Sequence, residues 1–303
     1  MLVMTGAATA QDYPSKPIRI VTSEFGSATD LTARLLGSVM SSSLGRQVVV
    51  ENRGFIAIEV VAKANADGYT VLCYGPPLWL APLMRSVSYD VFKDFAPVTM
   101  AVTTPNVLVV HPALPVKSVG DLIALAKARP GELNYGSGSP GSSTHMAAEL
   151  FKHMAGVDIV RVSYRGTGPA MNGLMSAQVQ VMFPNAGAAT PHVKSGRVRA
   201  LAVSSAHRSA LVPALPTIAE SGVPGYESSV PLSFVVPAGT PRPIVEKLNR
   251  EMVGALHNTE VKAKLFNSGV EVVASTPDEL VAMVKADMTR MGKVIREAGI
   301  RDE

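Results

Sequence analysis

One cysteine, Cys73, in 303 residues leaves this chain without an internal disulfide or a cysteine-built metal cluster, and compartment cannot be read from its thiol. In the strand-like run TVLCYG that thiol reads as a small buried hydrophobe. No stretch approaches the ~18 uninterrupted apolar residues of a membrane-spanning helix, so no insertion into a bilayer is expected. Charge of one sign is also scarce. Lys and Arg exceed Asp and Glu by only 4 and are intermixed with them, which excludes the basic stripe of a nucleic-acid binder and leaves a slight bias toward anions. The catalytic signatures G-x-S-x-G, HExxH, Walker A and the EF-hand loop are missing. What remains is 47% apolar and 17% charged, a globular composition with length enough for two modest domains.

The first residues, MLVMTGAATAQDYP, begin apolar and carry Ala8-Thr9-Ala10, the A-x-A form of a signal-peptidase site. The basic n-region is missing, since the first cation is Lys16. Residues 1–10 are expected to be a clipped secretory signal, with an apolar tail as the alternative. Beyond them, apolar strands alternate with small-residue loops and helical spacing. Strands are expected at 18–22, 48–50, 69–74, 107–110, 133–135, 159–162, 180–183, 199–203, 234–236 and 270–273. Helices are expected after 30, at 58–64, 119–128, 142–154, 169–176, 241–256 and 260–267, and from Pro277 to about Ala298. Alternation of this kind predicts mostly parallel sheets covered by helices. The proline-marked runs VLVVHP and SFVVPAGTP suggest that the chain leaves one lobe and returns. Residues 11–110 with 234–303 then form lobe 1 and residues 111–233 lobe 2, with hinge crossings near 107–112 and 230–237.

Gly136-Ser-Gly138-Ser-Pro-Gly141 spells G-x-G-x-x-G, the dinucleotide fingerprint. A strand precedes it and a helix follows, but the acid required after the next strand is absent: Ser163-Tyr164-Arg165-Gly166 stands there. A smaller anion satisfies the same residues better. Helix openings leave N–H groups unpaired and carry partial positive charge, and glycine and serine let a carboxylate approach. GSATD at 26–30, GSGSPGSST at 136–144 and YRGTGPA at 164–170 share that design, although turns and caps need the same residues in any fold. Other constellations are weak. His145, Glu149 and His153 form one helix stripe, but i to i+8 rises about 12 Å, too far for both imidazoles to hold one ion, and pairing of Glu149 with a histidine is the plainer reading. Ser143 near His145 is not a triad. Trp79 serves equally well as packing between lobes or as a wall for an apolar or aromatic ligand.

Longer stretches carry a resemblance. LGRQVVVENR (44–53), DGYTVL (67–72), YDVFKDFAPVT (89–99), LPVKSVGDLIALAKARPGELNYGSG (114–138), HMAAELFKHMAGVDIVRVSYRG (145–166), RVRALAVSSAHRS (197–209), PTIAESGVPGYE (216–227) and PAGTPRPIVEKLN (237–249) occur in order. With YPSKPIRIV at 13–21, the chain resembles the solute-binding receptors of tripartite tricarboxylate transporters, the Bug family. The resemblance implies a two-lobed α/β Venus flytrap of the type II class, without catalysis, cofactor or metal. It implies a periplasmic monomer that captures a di- or tricarboxylate or an aromatic acid for membrane permease subunits.

The same resemblance implies the site. The loop after the first strand offers Phe25, Gly26, Ser27, Ala28, Thr29 and Asp30. The glycine-serine loop offers Ser137, Gly138, Ser142, Ser143, Thr144 and His145. Tyr164, Arg165 and Gly166 line the cleft, as do Asn185 and Ala186 in the loop 184–187, with Trp79 as an added wall. Waters bridge such contacts in the family. Three departures bear on the ligand: the first loop keeps one of its usual glycines, GFIAI replaces a glycine-rich turn at 54–58, and Pro231-Leu232-Ser233 replaces an aromatic-x-Gly. A sensor passing occupancy to a signalling partner is the alternative function. An NAD-dependent oxidoreductase, or a hydrolase using Ser143 and His145, is the remaining one.

Overall fold

The computed structural model describes residues 13–301 except 24, 26, 139 and 140, so the expected signal segment and Gly26 lie outside the described residues. β1 (Ile18–Thr22), α1 (Ala28–Leu44), β2 (Val48–Asn52), α2 (Ile56–Ala62), β3 (Thr70–Tyr74), α3 (Pro77–Met84) and the long β4 (Phe95–Pro105) come first. Then follow β5 (Val107–Val110), α4 (Val119–Ala128), β6 (Asn134–Ser137), α5 (Ser143–Ala155), β7 (Val160–Ser163), α6 (Thr167–Met175), β8 (Val181–Met182), α7 (Ala186–Lys194) and β9 (Arg199–Val203). β10 (Ser229–Pro237), α8 (Arg242–His257), α9 (Thr259–Asn267), β11 (Glu271–Val272) and α10 (Pro277–Glu297) complete the chain.

The strands form two sheets, in the orders β11-β4-β10-β3-β1-β2 and β7-β6-β8-β5-β9. Most strands of each sheet run in one direction, as expected, and antiparallel strands are inserted among them. β2-β1-β3 and β7-β6-β8 are parallel because a helix carries the chain back between successive strands. β10 runs antiparallel to both β3 and β4, and β5 antiparallel to both β8 and β9. Both are strands that enter one sheet directly from the other sheet's side of the molecule. The chain changes sheet at the single residue Asn106, between β4 and β5, and again within 204–228. The runs expected as crossings, 107–112 and 230–237, thus begin with a strand of the second sheet and fall on a strand of the first.

Local sequence explains the best-defined elements. Ser27 caps α1 by accepting from Asp30 N–H (3.2 Å), and Gly45 in the left-handed region ends it. Thr276 and Glu279 close a capping box on α10, with Pro277 in its first turn. Ile18, Ile20, Leu36, Met40, Phe234 and Met252 build the core beneath the first sheet. Val107, Leu174, Met182 and Val203 build one face of the second. A third cluster spans both sheets, joining Leu72, Leu80 and Val294 to Tyr135, Met146 and Phe151. The two halves therefore share apolar core where α3 and α10 meet α5. Tyr226, in the returning connection, donates its hydroxyl to the Ala147 carbonyl of α5 (2.9 Å).

Candidate functional site

Apolar strands end at one edge of each sheet and hand the chain to helix openings, and the predicted residues sit on these turns. The first opening closes on itself. Ser23, Ser27 and Thr29 hydroxyls form a ring, with Ser27–Thr29 at 2.8 Å and Ser23–Ser27 at 3.0 Å. Asp30 is buried and takes Arg34 Nε (2.9 Å) and Asn52 Nδ2 (2.8 Å) on its carboxylate. Asp30 is therefore a structural anion that pins α1 to β2, and the expected open donors of α1 are partly spent on Ser27. Phe25 is 80% exposed with the Arg34 guanidinium 5.4 Å from its ring centroid. Ala28, the first residue of α1, brings only a methyl group to this edge.

The second opening is built differently. Ser142 stands at the N-cap of α5, yet its side chain makes no capping hydrogen bond. Its hydroxyl is shared with Thr144 (3.1 Å), and Thr144 accepts the Gly138 N–H (3.0 Å). Arg161 on β7 clamps the turn from behind, donating to Ser137 Oγ and to the Gly138 carbonyl, each at 2.8 Å. Gly141 has φ 74°, and a Cβ there would lie 2.8 Å from Met84 Cε of α3. Glycine is favoured at that point by the left-handed backbone, while the contact is with the movable end of Met84, which gives the G-x-G-x-x-G run a conformational reason. His145 is buried and accepts the Gly141 N–H on Nδ1 (3.1 Å). Burial, with Arg161 next in weight, pushes its imidazole down to about 4, so it is neutral at pH 7. Among the described residues no hydrogen bond joins Ser143 to His145.

Glu149 and His153 go to separate partners. Glu149 accepts from Tyr135 Oη (2.5 Å) and from Lys152 (2.9 Å), and His153 faces Glu297 (2.8 Å), so the expected Glu–His pairing is replaced. Tyr135 is held protonated by burial and by the adjacent Glu149 carboxylate. The third opening begins at Gly166 (φ 150°), and α6 also lacks a side-chain cap. Tyr164 lies against Gly173, and Arg165 is exposed. Asn185 caps α7 by accepting from Ala188 N–H (2.8 Å), while Ala186 is buried in the core and presents no side chain. Asn185 shares a cavity of about 580 Å³ with Thr167 and Gly168.

A cavity of about 180 Å³ lies between the halves, with Gly141, Ser142 and Ser143 on one side and Pro76, Pro77 and Leu80 on the other. Asp287 of α10 also lines it. Trp79 does not: at 1% exposure it is a packing residue of α3, and its Nε1–H donates to Asp287 Oδ2 (2.8 Å). The structure thus brings Ser142 and Ser143 to an interlobe cavity and Asn185 to a second one near the α6 opening. The described residues of the Phe25–Asp30 turn line neither.

Sequence reasoning missed Arg161, Asn106 and Asp287. Asn106 is fully buried at the first crossing, donates Nδ2–H to the Ser143 carbonyl (3.1 Å) and N–H to Ser204 Oγ (2.8 Å), and leaves its Oδ1 without a partner among the described residues. Arg161 was visible as a lone cation inside the apolar strand IVRVS. Asp287 gave no signal, because its partner Trp79 is 208 positions away.

The sequence matches the family described as "Tripartite tricarboxylate transporter family receptor" over residues 32–300. It is 38% identical over 300 residues to Protein BugT of Bordetella pertussis, covering 96% of this chain and 92% of that one. The structure is similar to that of an R. palustris protein solved with adipate (TM-score 0.80, 38% identity, 96% and 99% of the two chains). It is also similar to MatC from Rhodopseudomonas palustris with bound malate (TM-score 0.75, 28% identity, 93% and 100%).

Proposed function

The chain belongs to the tripartite tricarboxylate transporter receptor family of periplasmic solute-binding proteins, and from that premise we propose that it captures a small organic carboxylate between its two lobes and presents it to membrane permease subunits. The observation that carries this reading is the α5 opening. It is a helix start whose N-cap side chain makes no capping hydrogen bond, with two serine hydroxyls, facing a cavity between the halves. The macrodipole and first-turn N–H groups there favour an anion, and the serines add donors without a full counter-charge. Relatives solved with adipate and with malate support a carboxylate as the ligand class.

The reading includes no catalysis. His145, the one imidazole at the α5 opening, is neutral and committed to Gly141. In this reading the lobes divide at Asn106 and in 204–228, where the chain passes from one sheet to the other. Thermal unfolding of ligand-stripped protein against aliphatic and aromatic acids tests the proposal. A ligand at 100 times its Kd stabilises by about 2.7 kcal/mol, a shift of several degrees. Absence of any shift with every carboxylate, or a shift with NAD alone, refutes it.

A further inference from the structure

The interlobe cavity is one-sided in its electrostatics. Its α5 side offers Gly141, Ser142 and Ser143, suited to one carboxylate. Its remaining wall is mostly apolar, with Pro76, Pro77, Leu80, Met146, Val230 and Met291 beside the two serines Ser228 and Ser229. Among the described residues that line it there is no lysine, arginine or histidine, and the one charged side chain is Asp287. Asp287 takes Trp79 Nε1–H on one oxygen (2.8 Å) and Arg290 Nη2 on the other (3.0 Å). That guanidinium is shared, because Arg290 also donates to Glu227 (2.9 Å). Two carboxylates on one arginine leave the trio with a formal charge of −1. A second ligand carboxylate in this space would lose its water and face the Asp287 carboxylate, whose arginine is already shared with Glu227. A hydrocarbon chain or ring would instead bury apolar surface against the methionines, Leu80 and the prolines.

Resting on the carboxylate-receptor reading above, we infer that the ligand is a monocarboxylate with an apolar body, its head at the α5 opening and its body in the cavity, and that Asp287 selects against diacids. At about 180 Å³ the cavity suits a short chain or single ring rather than a drug-sized molecule.

Calorimetric titration of the ligand-stripped protein with matched pairs, hexanoate against adipate and benzoate against terephthalate, tests this. The expected result is that each monoacid binds at least tenfold tighter than its diacid. A diacid binding as tightly as its monoacid, or tighter, overturns the inference while leaving the receptor reading intact. If neither member of either pair binds and a wider set of carboxylates also fails, the receptor reading itself falls. Asp287→Asn retains an acceptor for Trp79 and should narrow the gap by raising diacid affinity, with Trp79 fluorescence confirming the fold. An unchanged gap in that variant removes Asp287 as the selecting residue and overturns that half of the inference.

Discussion

His145 takes up a proton less readily in the folded protein than in the unfolded chain, because burial, reinforced by Arg161, disfavours the imidazolium. Its folded value is about 4 against 6.5 for an exposed histidine, so the unfolded chain binds the extra proton between those limits. The stabilising contribution is complete above about pH 6.5 and is lost as pH falls toward 4, on the order of 3 kcal/mol in total. Urea midpoints measured between pH 7.5 and 4.5 should fall faster for the wild type than for His145→Gln, whose amide oxygen can still accept from Gly141; parallel curves would refute the assignment. At the neighbouring Ser143 the expected loss concerns binding. Ser143→Ala removes one hydrogen bond to a charged ligand, about 1.5 kcal/mol or more, and should weaken carboxylate affinity at least tenfold with little change in melting temperature. These two roles differ in how far the sequence announced them. Serines before a helix suggest an anion turn by themselves, whereas the partner of a buried imidazole depends on how the turn folds back.

Helix openings were legible because capping chemistry is local. Ser118 before VGDLIALAKA and Pro277 before DEL mark starts at which the structure begins α4 and α10, whereas α1 begins at Ala28, before the expected residue 31, because Ser27 caps it. Two neighbours of the site were not legible. α3 reads PLWLAPLM, apolar on every side and with Pro82 inside it, so it has neither periodicity nor a polar cap. β4 reads FAPVTMAVTTP, bracketed by prolines that mimic loop signals, and its strand character comes from pairing with β10, more than a hundred residues on. α3 matters because it supplies Met84 to the α5 turn. Gly141→Ala should cost about 1–3 kcal/mol, chiefly through its positive φ, with a smaller part from displacing the flexible end of Met84. Met84→Ala in the same chain should recover the steric part alone. A double-mutant cycle with no coupling energy would separate the two helices.

At the scale of the molecule, the mixed sheets and the shared core are what the sequence could not disclose. Alternating strands and helices give α/β, but the direction of β5 and β10 follows from where the chain crosses between halves. The third apolar cluster, which includes Leu80, Val294, Met146 and Phe151, couples those halves. Calorimetry should show one unfolding transition, with the van't Hoff and calorimetric enthalpies in agreement; two resolved transitions would mean that the halves are energetically independent. Ile295→Ala, a buried truncation in α10, should lower that single transition by about 2–4 kcal/mol without splitting it.

The place of β10, hydrogen-bonded between β4 and β3, also sets the order in which a growing chain can finish its parts. Every strand of the second sheet is synthesised before β10 exists, so the second sheet can close first, while β3 and β4 wait with unpaired edges. The first lobe reaches its native form only when the C-terminal third has been made.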